Sequence, residues 1–100
     1  MNSITGLVPW LQPYCRWLLA QFPGAVLTST RRTHAEQTRL YRRYLAGQHP
    51  YPVAPPGRSA HESGLAFDAW HPTQLDEMGA LWQRMGGRWG GERDRVHFGV

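Results

Sequence analysis

The chain has 100 residues, of which 41% are hydrophobic and five are tryptophan. This length allows one small domain over residues 1–100, and the composition excludes an intrinsically disordered chain. The formal net charge of +4 favours anionic partners such as nucleic acid, lipid headgroups or an acidic cell-wall polymer, although scattered arginines are equally typical of a merely soluble basic surface. The lone cysteine, Cys15, excludes an internal disulfide, and we expect it in the core.

The N-terminal quarter predicts one helix and no export signal. Apolar residues recur at helical spacing between Val8 and Leu19, which indicates a helix over residues 9–21 that ends at Pro23. Pro13 fits this helix because the N–H groups of a first turn have no intrahelical partner. No basic segment precedes a clean apolar run, so we expect neither a signal peptide nor a membrane span.

The next segment predicts a short strand, a helix and a loop. Residues 25–29 are rich in β-branched side chains and indicate a strand whose end delivers Arg32 into a loop. Thr33 and Glu36 have the spacing of a capping box, which predicts that a second helix begins there and runs to about residue 46. Residues 48–58 contain four prolines and predict a stiff, extended loop.

The C-terminal third predicts a further strand and helix. Residues 64–70 indicate a strand with one apolar face, while the other face carries small residues beside Asp68, as a face that holds a metal and a substrate requires. Thr73 predicts the N-cap of a third helix over residues 74–85. Paired glycines on both sides of residues 88–89 predict turns in that region.

Two imidazoles and a carboxylate can bind a catalytic zinc ion, which keeps three protein ligands and leaves the fourth position to water. His61, Asp68 and His97 supply this set. Apolar side chains alternate over residues 96–100, which predicts a last strand whose even-numbered residues face the core. His97 then points to the opposite face. Asp94 has the wrong parity to join His97 in that strand, so we expect it in the entering loop, above the metal, as a base.

Other catalytic patterns are incomplete. His61-Glu62 begins the thermolysin-type zinc motif, but position 65 is leucine where that motif has its second histidine. Cys15 lies in an apolar helix and does not support a nucleophilic triad. We interpret the remaining histidines as surface or structural groups: His34, His49 and His71.

The metal-ligand pattern resembles that of zinc peptidases that cleave bacterial cell-wall peptides. These form the D-alanyl-D-alanine carboxypeptidase superfamily, which includes the phage L-alanyl-D-glutamate endopeptidases. Their Ser-x-His-x-x-Gly-x-Ala-x-Asp motif is matched at every fixed position: Ser59, His61, Gly64, Ala66 and Asp68. Their closing motif, an acidic residue, two spacers, a histidine and an aromatic, is matched by Asp94, His97 and Phe98.

The resemblance extends upstream with two departures. The family's Ser-Gly-Tyr-Arg-Ser segment, followed by a glutamine on a helix, is similar to residues 29–33 followed by Gln37. Thr30 and Arg31 replace the glycine and the tyrosine, which implies a differently shaped pocket around the substrate. The resemblance covers roughly residues 25–100, and the first metal motif is its specific part.

The resemblance implies an α+β fold of the Hedgehog/DD-peptidase type, in which a small antiparallel sheet packs against about three helices. It also implies one catalytic Zn²⁺ ion, with the two histidines and the aspartate above as ligands and Asp94 as general base. Arg32 would hold a substrate carboxylate, which a guanidinium does better than an ammonium because it binds in two places. Ser59 would line the site and hydrogen-bond the substrate or the first metal ligand.

The implied activity is hydrolysis of an amide bond in peptidoglycan stem peptides by an endolysin-like L-alanyl-D-glutamate endopeptidase. Asp94, where dipeptidase relatives have glutamate, favours this activity over a D,D- or L,D-carboxypeptidase of the same family. We expect a monomer made in the cytoplasm of a phage-infected bacterium and acting at the cell wall. A catalytically inert cell-wall or polyanion-binding domain of the same fold is the alternative of another class, and a nucleic-acid binder would show strongly salt-dependent affinity.

Overall fold

In the computed structural model, which describes residues 2–100, the chain forms three α-helices and a four-stranded sheet. In chain order the elements are α1 (Gln12–Gln21), β1 (Val26–Ser29), α2 (His34–Leu45), β2 (Ala66–Trp70), α3 (Leu75–Arg84), β3 (Arg88–Trp89) and β4 (His97–Gly99). The strand order is β1-β2-β4-β3, and every neighbouring pair is antiparallel. The predicted α+β fold with an antiparallel sheet is confirmed.

The register of the central strand determines which side chains meet. Asp68 in β2 pairs with Ser29 in β1 on one side and with His97 in β4 on the other. The pairing of β1 shifts between Leu27 and Ser29, so that β1 bends where it passes Asp68. Residues directly opposite in antiparallel strands have Cβ atoms about 5 Å apart. The register therefore brings Asp68 and His97 together although 29 positions separate them in the sequence.

The opposite face of the same two strands forms the core. Phe67 and Phe98 are fully buried and stack with their ring centroids 5.3 Å apart, and the Trp82 ring packs edge-on against both. Burying one such side chain stabilises the fold by about 1.5–3 kcal/mol. A slip of one residue would expose both phenylalanines and turn their polar neighbours inward, so the aromatic cluster fixes the register that the site needs.

The N-terminal helices follow the sequence pattern closely. At the start of α2, Thr33 Oγ1 accepts from the Glu36 backbone N–H at 3.1 Å, and Glu36 accepts from the Thr33 N–H at 3.1 Å, which confirms the capping box. Helix α1 begins at Gln12, later than predicted, with Pro13 in its first turn. Cys15 is fully buried, and burial raises the pKa of its thiol to about 12, so it is not a nucleophile.

The start of α3 differs from the prediction. Thr73 does not cap this helix with its side chain, and the N-cap residue is Gln74. His71 instead holds the turn before the helix, because its Nδ1 accepts from the backbone N–H groups of both Thr73 and Gln74 at 3.2 and 3.1 Å. Its Nε2–H then donates to the Pro23 carbonyl at 2.9 Å, so His71 is the structural histidine that the sequence indicated.

The C-terminal region contains a strand where only turns were predicted. Arg88 and Trp89 form β3, which pairs with Gly99 and Phe98 of β4. A strand of two residues is too short to give a periodic pattern in the sequence. Its pairing also depends on contacts between distant parts of the chain. The prediction that position 100 faces the core is wrong, because β4 ends at Gly99 and Val100 is 45% exposed.

The proline-rich residues 48–58 form no helix or strand, as predicted, and fold back on the body of the protein. Val53 is buried, and the fully buried side chain of Gln37 donates from Nε2 to the Ala54 carbonyl at 2.9 Å. The loop is thereby fixed to α2 and leads directly into the segment that carries His61. Among the helices of residues 2–100, none has the length and apolar character needed to span a bilayer.

Candidate metal centre

His61, Asp68 and His97 converge in the lining of a cleft. Each offers one ligand atom, and these atoms lie within 4.8 Å of one another. Asp68 Oδ1 is the centre of the group, 3.2 Å from His61 Nε2 and 3.6 Å from His97 Nδ1. The two histidine rings lie close together, with their centroids 5.3 Å apart and their planes tilted by 58°. Two strands and the turn before β2 thus supply the three side chains.

The hydrogen bond of His61 Nδ1, the ring nitrogen that points away from Asp68, indicates what kind of group Nε2 can bind. Nδ1 lies 2.7 Å from the Thr30 carbonyl oxygen, which can only accept, so Nδ1 carries the proton. In a neutral ring Nε2 then presents a lone pair to the Asp68 carboxylate, and His61 is only 3% exposed. A buried acceptor then faces a half-buried one, which requires a cation or a second ring proton between them. A ligating histidine typically donates its other N–H in this way, so the residues fit a zinc ion.

The second carboxylate oxygen of Asp68 is held by Arg32. Arg32 Nη2 donates to Asp68 Oδ2 at 2.9 Å, and Nη1 donates to Gln37 Oε1 at 3.3 Å. Burial opposes ionisation of Asp68, but its contacts with His61 and His97 and the charge of Arg32 outweigh burial and hold its pKa well below the usual range. Asp68 is therefore a carboxylate at physiological pH with Oδ1 directed at the candidate metal.

Arg32 and Ser59, the two residues that the sequence assigned to the substrate, both line the cleft. Arg32 is also engaged with the centre itself, a contact that its sequence position beside β1 did not reveal. Ser59 Oγ accepts from the backbone N–H of His61 at 3.2 Å and so helps to hold the turn that carries the imidazole.

Asp94 follows a short 3-10 turn and lines the cleft together with the three candidate ligands. Its backbone N–H donates to the Gly91 carbonyl at 3.1 Å, and its carbonyl accepts from the His97 N–H at 3.1 Å, which ties it to the start of β4. Burial raises the pKa of the Asp94 carboxyl, and the negative charge of Asp68 adds to this effect. A carboxylate with a raised pKa is a stronger base, as proton abstraction at neutral pH requires.

Gly90 makes room for Asp94. A Cβ atom on Gly90 would lie 2.2 Å from the Asp94 carbonyl oxygen and 2.8 Å from its Cβ, far inside van der Waals contact. The sequence indicated only a turn at this glycine. The structure shows that its missing side chain lets the acidic residue come close to β4.

Gly64 of the metal motif has a different role from the predicted one. It does not lie on the metal-facing side of a strand, because β2 begins at Ala66 and Gly64 has a φ of +72° in the preceding turn. A Cβ atom there would be 2.9 Å from the Gly6 carbonyl oxygen, and the Val8 N–H donates to the Gly64 carbonyl. The small residue therefore allows the N-terminal segment to pack against the turn.

We expect Gly64→Ala to lower the free energy of unfolding by about 3 kcal/mol. The alanine has to adopt a positive φ and its Cβ atom clashes with the backbone, and these two costs are summed. Gly57→Ala is the matched control: Gly57 also has a positive φ, +84°, but no atom lies within 4 Å of its missing Cβ. We expect that variant to lose only about 1 kcal/mol. Denaturant unfolding measures both values, and equal losses would contradict the role assigned to the contact with Gly6.

The raised pKa of Asp94 predicts a stability effect in metal-free protein. A carboxyl with a raised folded-state pKa favours the folded state while protonated, and this contribution is lost as the pH rises through the folded-state pKa. In the presence of a chelator, Asp94→Asn should therefore melt at a higher temperature than the parent chain at pH 7. The difference should shrink as the pH is lowered toward the ordinary carboxyl value of 3.8. A variant that is less stable at pH 7 would contradict this account.

The cleft over the centre has a volume of about 650 Å³, within the range of small-ligand sites. Its walls come from β1, α2, the proline-rich loop and the segment of Asp94. The loop contributes His49, Tyr51 and Val53, so His49 is part of the cleft and not an ordinary surface group. Burial lowers the pKa of His49, and the charges of Arg43 and Arg32 act in the same direction. The proline-rich composition predicts a stiff loop, but it does not reveal which of the loop's side chains line the cleft.

Comparison with known proteins finds similar folds among solved structures but no similar sequence family. No protein-family model matches the sequence, and no curated protein is significantly similar to it. One similar solved structure is the D,D-pentapeptidase VanY of a VanB-type vancomycin-resistance cassette, in complex with Zn(II). It has 19% sequence identity to this chain and a TM-score of 0.71, and the match covers 94% of this chain and 72% of that chain. The L-Ala D-Glu endopeptidase ChiX of Serratia marcescens has 22% identity and a TM-score of 0.70 over 97% and 82%.

A third neighbour is the vancomycin-resistance D,D-dipeptidase VanXYg in complex with a D-Ala-D-Ala phosphinate analogue. It has 17% identity and a TM-score of 0.74, and the match covers 94% of this chain but only 50% of that chain. The three structures show that this chain has the fold of D,D-peptidases and L-Ala D-Glu endopeptidases. The resemblance inferred from the two motifs is thus confirmed at the level of the fold.

Proposed function

We propose that the chain is a zinc-dependent peptidase that hydrolyses an amide bond in peptidoglycan stem peptides, with L-alanyl-D-glutamate endopeptidase as its activity. The observation that carries the proposal is the convergence of two imidazoles and a carboxylate, with a second carboxylate of raised pKa in the same cleft. The fold supports it, because VanY, VanXYg and ChiX combine this architecture with peptidase activity.

The candidate ligand atoms are His61 Nε2, Asp68 Oδ1 and His97 Nδ1. A zinc ion bound there supplies Lewis acidity at neutral pH. Asp94 accepts the proton of the attacking water while a new C–O bond forms, and then gives that proton to the leaving amine as the C–N bond breaks. The raised pKa of Asp94 suits both transfers, because the group must bind and release one proton within each turnover.

Arg32 and Ser59 have supporting roles in this proposal. The Arg32 guanidinium has five N–H donors. One of them donates to Asp68 and another to Gln37. The others are available to a substrate carboxylate in the cleft, while the contact with Asp68 orients the metal ligand. Ser59 holds the His61 backbone and lies within the same lining, where its O–H can donate to the substrate.

Endopeptidase activity is preferred over carboxypeptidase activity for two reasons. The acidic residue of the closing motif is Asp94, which resembles the phage endopeptidases, and the match to ChiX covers more of the partner chain than the match to VanXYg. A D,D- or L,D-carboxypeptidase is the second candidate, because a second arginine, Arg58, also lines the cleft and could bind a terminal carboxylate. We further propose that the protein acts as a monomer at the cell wall after synthesis in a phage-infected bacterium.

Digestion of purified peptidoglycan tests the proposal. The zinc-loaded protein should release fragments with a new D-glutamyl amino terminus, which mass spectrometry of the labelled amino groups identifies. Release of free D-alanine would instead establish a carboxypeptidase. Binding to peptidoglycan without any new amino terminus would overturn the proposal in favour of an inert cell-wall-binding domain.

A further inference from the structure

A second hollow continues from the cleft along α2. It has a volume of about 580 Å³, and three arginines contribute to its lining: Arg32, Arg39 and Arg43. The two cavities share four lining residues: Thr28, Ser29, Arg32 and Leu40. A ligand seated at the metal centre can therefore extend past Arg32 into the hollow without leaving the surface.

The arginines of α2 do not all face this hollow. Glu36, Arg39 and Arg43 are three and four residues apart, so they form one ridge of the helix, and all three line the hollow. Arg42 is equally exposed but lies on another ridge and lines neither this hollow nor the cleft. The arginines of α2 thus divide into a ridge beside the cleft and one away from it.

The ridge carries an excess of positive charge. Within residues 2–100, neither Arg39 nor Arg43 forms an ion pair with a carboxylate. The one acidic group of the lining, Glu36, accepts the Thr33 N–H in the capping box, and Arg39 contributes to lowering its pKa. Arg43 in turn helps to lower the pKa of His49, a residue that lines the cleft.

We propose that Arg39 and Arg43 form an anion subsite that binds a second carboxylate of the substrate, one remote from the bond that is cleaved. The inference rests on the proposed function, because stem peptides are its source of such carboxylates. Guanidinium groups bind carboxylates in two-point contacts, and two of them side by side on one ridge can act on the same carboxylate. The substrate class is therefore a stem peptide with a free side-chain or branch carboxylate, in preference to its amidated form.

The test compares hydrolysis of one synthetic stem peptide with versions in which its remote carboxylates are amidated one at a time. For the parent zinc-loaded protein, amidation of one carboxylate should raise KM about tenfold, which is equivalent to about 1.4 kcal/mol. The value of kcat should change little, because the contact is equally strong in the ground state and in the transition state. The double variant Arg39→Gln/Arg43→Gln should have the raised KM for both forms of the peptide. Added salt should reduce the difference in the parent.

Arg42→Gln is the matched control, because it removes the same charge from the same helix outside the hollow. It should retain the preference of the parent protein for the free carboxylate. An equal effect of Arg42→Gln, or one KM for every peptide with the parent protein, would overturn the subsite while leaving the peptidase proposal intact. Failure of the parent protein to cleave any peptide when fully loaded with zinc would overturn both.

Discussion

Replacing His61 with alanine should abolish stoichiometric zinc binding. The imidazole offers Nε2 to the metal point and donates from Nδ1 to the Thr30 carbonyl, so the variant loses a ligand and leaves a buried acceptor without its donor. Mutation of groups that merely orient ligands typically weakens metal affinity 10–100-fold, so loss of a ligand should weaken it by more than about 100-fold. Zinc content after dialysis and calorimetric titration both measure this loss.

His49→Ala is the control for that experiment. His49 is an imidazole in the same cleft but stands outside the group of three candidate ligands, so its variant should bind zinc like the parent protein. Full zinc occupancy in His61→Ala would exclude His61 as a ligand. Equal loss in both variants would show that the cleft, and not the three-residue centre, determines metal binding.

Asp94→Ala should abolish hydrolysis while zinc remains bound. Asp94 lines the cleft but is not one of the three converging ligands, and loss of a general base typically costs about 10²–10⁴ in rate. Steady-state hydrolysis of a stem peptide, together with the zinc content of the same sample, separates the two effects. A pure binding domain has no need of this carboxylate, so the variant also distinguishes an enzyme from an inert relative.

Glu92→Ala controls for the loss of negative charge near Asp94. Glu92 belongs to the same 3-10 turn, is exposed and does not line the cleft, so its removal should leave turnover close to that of the parent protein. Unchanged turnover in Asp94→Ala would refute the general-base assignment. Loss of zinc in that variant would instead make Asp94 part of the metal site.

Local patterns predicted those parts of the structure that local physics determines. The capping box of α2 depends on two residues three positions apart, and the alternation around Phe67 and Phe98 depends on the two-residue period of a strand. The same alternation directed Asp68 and His97 to the face opposite the core. These features needed no knowledge of how distant segments approach each other.

The features that the sequence did not reveal arise from tertiary contacts. His71 holds the turn before α3 because the chain there lies beside the Pro23 carbonyl, and β3 exists because β4 lies beside it. The contact of Arg32 with Asp68 spans 36 positions and depends on the bend in β1. In each case a polar group or a strand edge contacts a residue far away in the sequence. Local periodicity and motif spacing do not predict such contacts.

The contact between Arg32 and Asp68 changes the interpretation of the arginine in the upstream motif. The resemblance assigned Arg32 to the substrate alone, whereas the structure shows it bound to a candidate ligand and to Gln37. Through Gln37 the same hydrogen-bond chain reaches the Ala54 carbonyl in the proline-rich loop. The metal centre and the wall of the cleft are thus linked by two side chains.

The most direct test of the account is to titrate zinc into chelator-stripped protein while following hydrolysis of a stem peptide and the amount of bound metal in parallel. Hydrolysis should be absent at the start, rise in proportion to bound zinc and saturate at one ion per chain. Hydrolysis that persists without metal, or full zinc occupancy with no hydrolysis of any stem peptide, would contradict the proposal that this centre is the active site of a peptidase.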